Sequence, residues 1–188
     1  MKKLLLLFAL VATCGTIGAQ GIIDNVDANG NRTVFGRDIT ARDMTDRVVF
    51  NFSFFASVSS GWDTPRYNFV IRAVSNVGYK ISKGDNLLLK NVDGDVIELK
   101  ASTDADASIG SLHTTPTVYT DYSTPVFYQV TDEQMAKICK GILKVKMQTF
   151  TGAFEKEYKK DKCGKKLSSQ LEEIKKALSK PKSFKDGF

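Results

Sequence analysis

Lys83-Gly-Asp-Asn-Leu-Leu-Leu-Lys-Asn-Val-Asp-Gly-Asp-Val-Ile-Glu-Leu-Lys-Ala101 is the stretch that decides the fold of this chain. Two strand-like runs flank Asp93-Gly94, and a two-residue hairpin turn needs positive φ values, which Gly supplies freely and Asp tolerates. One side of the pair would carry Leu87, Leu89 and Asn91, and the other Leu88, Val92, Ile97 and Leu99. Apolar residues on both sides predict a strand pair inside a sandwich of two sheets.

The segment before this hairpin predicts two further strands joined by a polar loop. From Arg47 to Val58 apolar and polar residues alternate, which is typical of a long half-buried strand. The apolar side is made of Val48, Phe50, Phe52, Phe54, Ala56 and Val58. Residues 59–65 form the loop, which holds Trp62, and Tyr67–Val74 forms the next strand.

The C-terminal section predicts a helix, a hairpin and a final helix. Thr131-Asp-Glu-Gln134 is a capping box, which opens a short helix over about residues 131–140. Residues 142–150 alternate as a strand that turns back, and an amphipathic helix follows over about residues 162–179. We therefore expect an α+β fold, mainly an antiparallel β-sandwich with a short helix and a C-terminal amphipathic helix.

The N-terminus has the three-part layout of a secretory signal. Met1-Lys-Lys3 is basic, Leu4–Ala12 is apolar but too short to span a bilayer, and small residues precede Gln20. We expect residues 1–19 to be a signal peptide and residues 20–188 to be one exported domain. The alternative is a lipoprotein modified at Cys14, where Thr13 is a poor preceding residue. No other stretch predicts a transmembrane segment.

Charge is distributed unevenly along the chain. The formal net charge is +6, and residues 131–188 carry 15 Lys and 8 acidic residues. Such lysines are usually the solvated sides of a hairpin and a helix, although they could also meet an anionic surface. The sequence has no basic and aromatic motif of the kind that stacks nucleic-acid bases, so we expect no nucleic-acid partner.

Cys139 and Cys163 predict a disulfide. Cys139 ends one predicted helix, Cys163 begins the other, and the hairpin between them returns to where it started. In an oxidising compartment the two thiols would pair. Such a bond would stabilise the fold by about 3 kcal/mol on the chain-entropy model. The alternative is two free thiols, one of them buried in the short helix.

Two segments outside these elements carry residues that could bind or react. Asn25–Asn31 has the alternating oxygen ligands of a calcium loop, but Gly36 stands where a bidentate Glu is needed, so a simple turn explains it. Residues 101–124 predict a long connection with the only histidine, His113. His113 has no ligand cluster around it, although it could in principle act as a base for Ser111. We assign no catalytic, cofactor-binding or metal-binding residue.

Taken in order, these patterns resemble a group of small uncharacterised secreted proteins of Bacteroidetes-type bacteria. The resemblance covers roughly residues 47–179. It rests on the Lys83–Leu89 hairpin with Asp93-Gly94, on Tyr128–Met135, on Gly141–Lys146 and on the lysine-rich last helix. It implies a periplasmic or cell-surface setting in a Gram-negative cell. It implies no activity, and it provides no functional residues to transfer to this chain.

The sequence favours a non-catalytic binding or interaction module of the cell envelope. It lacks a nucleophile motif, a phosphate loop and paired acids at suggestive spacing. A first alternative is carbohydrate or small-ligand binding through Trp62 and Tyr67, because an exposed indole can stack on a sugar ring. A Trp62 that folds back would instead cap the core beside the Phe-rich strand, and this interpretation is favoured. A second alternative is a hydrolase whose acids meet only in the fold, and a third is a purely structural role in the envelope. The partner would be an envelope protein or a glycan.

Overall fold

The computed structural model describes residues 21–42, 48–59, 61–113 and 119–183. The predicted signal peptide and Cys14 lie outside these residues. The strands are β1 Ile22–Val26, β2 Arg32–Gly36, β3 Ile39–Ala41, β4 Val48–Val58, β5 Arg66–Ser75, β6 Lys80–Ile81, β7 Asn86–Asn91, β8 Val96–Lys100, β9 Ala105–Asp106, β10 Ser108–His113, β11 Tyr119–Gln129, β12 Ile142–Thr149 and β13 Gly152–Glu157. The helices are α1 Asp132–Cys139 and α2 Gly164–Leu178.

All the pairings among these strands are antiparallel, and they form three sheets. The largest has seven strands, six of which follow the order β1-β2-β4-β5-β11-β10. The seventh, β3, pairs with the first half of β4, along the same edge on which β2 pairs with the second half. A four-stranded sheet runs β13-β12-β7-β8, and β6 pairs with β9. The predicted α+β fold of antiparallel strands with two helices is therefore confirmed. The finer expectation, a sandwich of two facing sheets, stays a prediction.

The core lies on one side of the seven-stranded sheet. Phe50, Phe52, Phe54 and Ala56 of β4 are fully buried there, which confirms the predicted alternation. Phe69 and Ile71 of β5 extend the same buried layer. The four-stranded sheet adds Leu87, Leu89, Val145 and Met147, and α2 adds Leu167, Leu171 and Ile174. In this layer the apolar residues of both sheets and the apolar stripe of α2 are buried against one another.

The first helix begins as the sequence predicts. The Thr131 side chain accepts from the Gln134 backbone N–H, and the Gln134 side chain reaches back to the Thr131 N–H, so the capping box is formed. Both helices fall within a residue or two of the predicted ranges.

The central hairpin differs from its predicted turn. Asn91 and Asp95 close a three-residue turn in which the Gly94 N–H bonds to the Asn91 carbonyl and Gly94 has a φ of 90°. Relative to a two-residue turn this shifts the register by one residue, which moves every side chain of the return strand to the other side. Ile97 and Leu99 consequently face the core, while Val96 is 66% exposed. Only one side of the pair is buried in the core, although the other side also carries apolar residues.

Two segments outside the predicted elements contain strands. Residues 21–42 hold β1, β2 and β3 on both sides of the predicted Asn25–Asn31 turn, and the predicted connection 101–124 holds β9, β10 and the first half of β11. In the Asn25–Asn31 stretch the Asp27 carboxylate accepts from the backbone N–H groups of Asn29 and Asn31. The stretch is thus a hairpin turn. These strands are rich in polar residues because they lie towards the edges of the sheet, where alternation is weak.

Candidate functional site

The side of the seven-stranded sheet that faces away from the core carries a row of aromatic residues. We name this set the aromatic face; its members are Ile23, Phe35, Phe55, Val70 and Phe127. Successive side chains of a strand point to opposite sides, and the neighbours Val34, Phe54, Phe69, Val126 and Tyr128 are buried on the core side. The aromatic face is therefore separate from the core layer, and none of its members belongs to the core cluster.

Strand register brings these residues together from five different strands. Ile23 pairs with Phe35, Phe35 pairs with Phe55, and Val70 pairs with Phe127. The ring centroids of Phe35 and Phe55 are 4.4 Å apart, and those of Phe55 and Phe127 are 5.7 Å apart at 74°. Such cross-strand aromatic contacts stabilise a sheet and fix the orientation of the rings. The face is thus ordered before any partner arrives.

The aromatic face remains partly open to solvent. Ile23 is 50% exposed, and the rings of Phe35, Phe55 and Phe127 are half-buried. The helix α2 packs on the opposite, core side of the sheet, where Leu167 and Ile174 join the core cluster. On the side of the aromatic face, the paired residues Ser53 and Val70 are buried, with 5% and 7% of their surface exposed.

Trp62 and Arg66 lie at one end of this face. Arg66 pairs with Ser57 in the adjacent strand, two residues beyond Phe55, so its side chain leaves the sheet on the same side as Phe55. The guanidinium carbon of Arg66 lies 3.9 Å from the centroid of the Trp62 ring. The loop is held by a 3.0 Å bond from the Trp62 N–H to the Ser59 carbonyl, and Gly61 supplies a φ of 95°. Trp62 is 36% exposed.

The structure places the two predicted ligand-contact residues apart. Tyr67 follows Arg66 in β5, so the two side chains point to opposite sides of the sheet. The Tyr67 ring packs against the core, with the Lys175 ammonium 6.0 Å from its centroid. Trp62 therefore acts with Arg66 instead of with Tyr67.

Sequence reasoning missed the aromatic face, although one signal was present. Phe55 breaks the alternation of its strand, because it stands on the side otherwise occupied by Asn51, Ser53 and Ser57. An aromatic residue on the polar side of a strand indicates that this side also packs against something. Phe35 gave no such signal because it lay in a segment that read as turns.

Among the residues that the structure describes, no cluster of three or more His, Cys, Asp or Glu residues could hold a metal ion. Every resolved pKa shift moves away from neutrality: burial raises the pKa of Tyr79 to about 12, and the bond to Lys144 lowers the pKa of Glu155. A general acid or base needs a shift in the other direction. The side chains of Ser111 and His113 lie outside the described set.

A cavity of about 580 Å³ lies between β1, β2 and the end of α2. Its buried cation, Arg32, is fully engaged. The guanidinium donates to both carboxylate oxygens of Asp24 at 3.0 and 2.8 Å, and to the carbonyls of Ala177 and Lys180. The hydrogen bond from Arg32 holds the pKa of Asp24 below its usual value. These hydrogen bonds connect the β1–β2 hairpin to the end of α2. We therefore interpret the cavity as part of this structural contact and not as a binding site.

The predicted disulfide is not formed, because Cys139 and Cys163 are both free thiols in the structure. The hairpin does return as expected, since Gly164 packs against the backbone of Gly141. The Cys139 thiol, however, is influenced by Glu172 and Lys175 in the second half of α2. Cys163 instead precedes the first residue of that helix and donates to the Asp161 carboxylate at 3.6 Å. The two side chains therefore lie near different ends of α2.

Both thiols should be unreactive in the folded protein. Burial raises the pKa of Cys139 to about 11 and the pKa of Cys163 to about 12. At pH 8 the thiolate fraction of Cys139 is then only about one in a thousand. We expect slow alkylation of the native mature protein that speeds up as the pH rises towards 11, and rapid alkylation of both thiols in concentrated guanidinium chloride without reductant. Failure of either thiol to react after denaturation would instead establish the disulfide.

Comparison with protein-family models, with curated proteins and with solved structures gave no match for this chain. Neither of the described helices is both long and apolar enough to cross a membrane.

Proposed function

We propose that this protein is a non-catalytic, exported binding module of the cell envelope that docks a partner on the aromatic face. The single observation that carries the proposal is the partly exposed, ordered row of Phe35, Phe55 and Phe127 on the side of the sheet opposite the core. The Trp62–Arg66 stack lies beside this row, two residues from Phe55 towards the turn between β4 and β5.

The residue types of this surface support binding. Aromatic and arginine side chains dominate the energetics of protein interfaces, and aromatic rings contribute large contact areas while losing little conformational freedom. The other exposed large apolar side chains among the described residues are Val77, Val92, Val96, Ile109 and Phe150, and none of them belongs to the aromatic face. A single exposed apolar residue is normal on a protein surface, whereas an ordered row across several strands indicates an interaction site.

The electrostatic character of the described residues supports a module without catalysis. Two of the ion pairs that shift pKa values, Lys140 with Asp93 and Lys137 with Glu133, lie on the surface, as ordinary solvated pairs do. The partly buried pair of Arg32 with Asp24 connects the β1–β2 hairpin to α2. The large pKa increases of Tyr79, Cys139 and Cys163 arise first from burial.

Replacing Phe55 with serine should abolish capture of the partner while leaving the fold intact. The mature protein, cross-linked within its own cell envelope and recovered at low and high salt, is the bait. We expect the wild type to retain one polypeptide at high salt in near-equal amount, because apolar contacts resist screening. We expect Phe55→Ser to reduce that amount at least tenfold, the effect typical of a central interface residue.

The matched control is Phe150→Ser, which removes the same ring from a site that is 77% exposed and lies outside the aromatic face. It should capture as much partner as the wild type. Equal capture by Phe55→Ser and the wild type would refute the aromatic face as the docking surface. Capture that is lost at high salt in the wild type would point instead to the lysines of residues 131–188.

A further inference from the structure

We infer that the partner presents an extended acidic peptide segment to this surface. Its carboxylate binds the Arg66 guanidinium, and an apolar side chain two residues away packs on Phe55. This inference rests on the proposed function, since it names the chemistry of the partner that the aromatic face would dock.

Arg66 is a cation without an anion. Within the described ranges it pairs with no carboxylate, and its recorded contact is the Trp62 ring at 3.9 Å. A guanidinium that stacks on an aromatic ring keeps its N–H groups directed outward in its own plane, where they can bind a carboxylate through two parallel bonds. The stack also fixes the long side chain, so less conformational freedom is lost when an anion binds.

The second arginine of this side of the sheet shows the contrast. Arg72 pairs with Asp38 at 3.4 Å, so its charge is already balanced within the protein. In the four-stranded sheet, Lys144 is likewise balanced by Glu155 at 2.6 Å. Among the described residues, the guanidinium of Arg66 therefore offers a positive charge beside the aromatic face that pairs with no carboxylate. Charge complementarity calls for a carboxylate at that point of the partner.

Strand geometry sets the spacing of the partner's residues. Phe55 pairs with Asn68, and Arg66 lies two residues before Asn68 in β5. With strands about 4.8 Å apart and about 3.4 Å of rise per residue, the Cα atoms of Phe55 and Arg66 are roughly 8 Å apart. In an extended peptide, residues i and i+2 project to the same side about 7 Å apart. An apolar residue and an acidic residue in that relation fit both sites at once.

Two peptides test this inference directly. One is acetyl-Gly-Ser-Phe-Thr-Glu-Ser-Gly-amide and the other has Gln in place of Glu. Trp62 is the only tryptophan of the chain and lies in the proposed site, so its fluorescence reports binding without a label. We expect the Glu peptide to bind at least fivefold more tightly than the Gln peptide at low salt, and Arg66→Gln to remove that difference. A bidentate charge-assisted pair accounts for a discrimination of this size.

The matched control is Lys100→Gln, which removes one exposed cation from β8 in the other large sheet and should preserve the preference. Equal binding of the two peptides, or no binding of either, would overturn the inference. If the peptides gave such a result but Phe55→Ser still lost its partner in the envelope capture, the proposed function would stand and only the acidic-peptide inference would be overturned. A wild-type dimer that Phe55→Ser dissociates, or a glycan whose binding needs Trp62 but not Arg66, would also overturn the acidic peptide.

Discussion

Replacing Gln170 with leucine should lower the free energy of unfolding by about 2–4 kcal/mol, because the substitution leaves a buried backbone N–H and a partly buried carbonyl without their partner. Gln170 lies on α2 and is only 2% exposed. Its side-chain oxygen accepts from the Phe54 N–H at 2.7 Å, and its side-chain nitrogen donates to the Arg37 carbonyl at 2.7 Å. Leucine fills a similar volume but provides neither a donor nor an acceptor.

The position of these bonds explains why they matter. β2 pairs with β4 as far as Phe35 and Phe55, and β3 resumes the pairing at Ile39 and Phe52. Phe54 lies between these two paired regions, so its N–H has no partner in β2 or β3. The side-chain oxygen of Gln170 accepts the hydrogen bond instead. Gly36 leaves the space for it, because a Cβ at Gly36 would lie 2.0 Å from the Gln170 Cδ. The amide thereby holds together the edge that presents Phe35 and Phe55.

Urea denaturation of the protein, followed by far-ultraviolet circular dichroism, measures this loss. The control is Lys166→Leu, an exposed position of the same helix, which should change stability by no more than about 0.5 kcal/mol. A loss below about 1 kcal/mol for Gln170→Leu would show that water or a shifted backbone satisfies the two groups as well.

Replacing Asp161 with alanine should cost about 2–4 kcal/mol. The Asp161 carboxylate accepts from the backbone N–H groups of Ile142, Cys163 and Gly164 at 3.0–3.1 Å. Two of these groups belong to the start of α2, where the Cys163 side chain provides no cap. The third belongs to β12. One carboxylate therefore caps the last helix and ties it to the four-stranded sheet.

A glycine in the surrounding backbone leaves the space that the Asp161 carboxylate occupies. Gly141 has a φ of 122°, and a Cβ there would lie 2.5 Å from the Asp161 Cγ. Thermal unfolding of Asp161→Ala should be compared with Asp106→Ala, whose carboxylate is 67% exposed and pairs only with Lys80. The control should change stability by less than about 1 kcal/mol, as surface ion pairs do. Equal melting temperatures for the two variants would contradict the capping role.

The sequence by itself determined the elements whose signals are local. The alternation from Val48 to Val58, the Thr131–Gln134 capping box and the apolar stripe of α2 each repeat within a few residues, so propensity and periodicity suffice to place them. The same local patterns led to the α+β class. They also suggested a two-residue turn at Asp93-Gly94, whose actual register depends on the Asn91 side chain, which bonds to the backbone N–H groups of Asp93 and Asp95.

Only the tertiary structure decided the aromatic face and the features that support it. Phe35, Phe55 and Phe127 are distant in sequence, and strand register alone brings their rings within 6 Å of one another in successive pairs. The Gln170 amide reaches the gap between β2 and β3 from a helix more than a hundred residues away. Likewise Trp62 binds Arg66 and not Tyr67, because neighbouring residues of a strand face opposite sides. Contacts between distant segments leave no periodic trace in a single sequence, and this is why the candidate site had to be found in the fold.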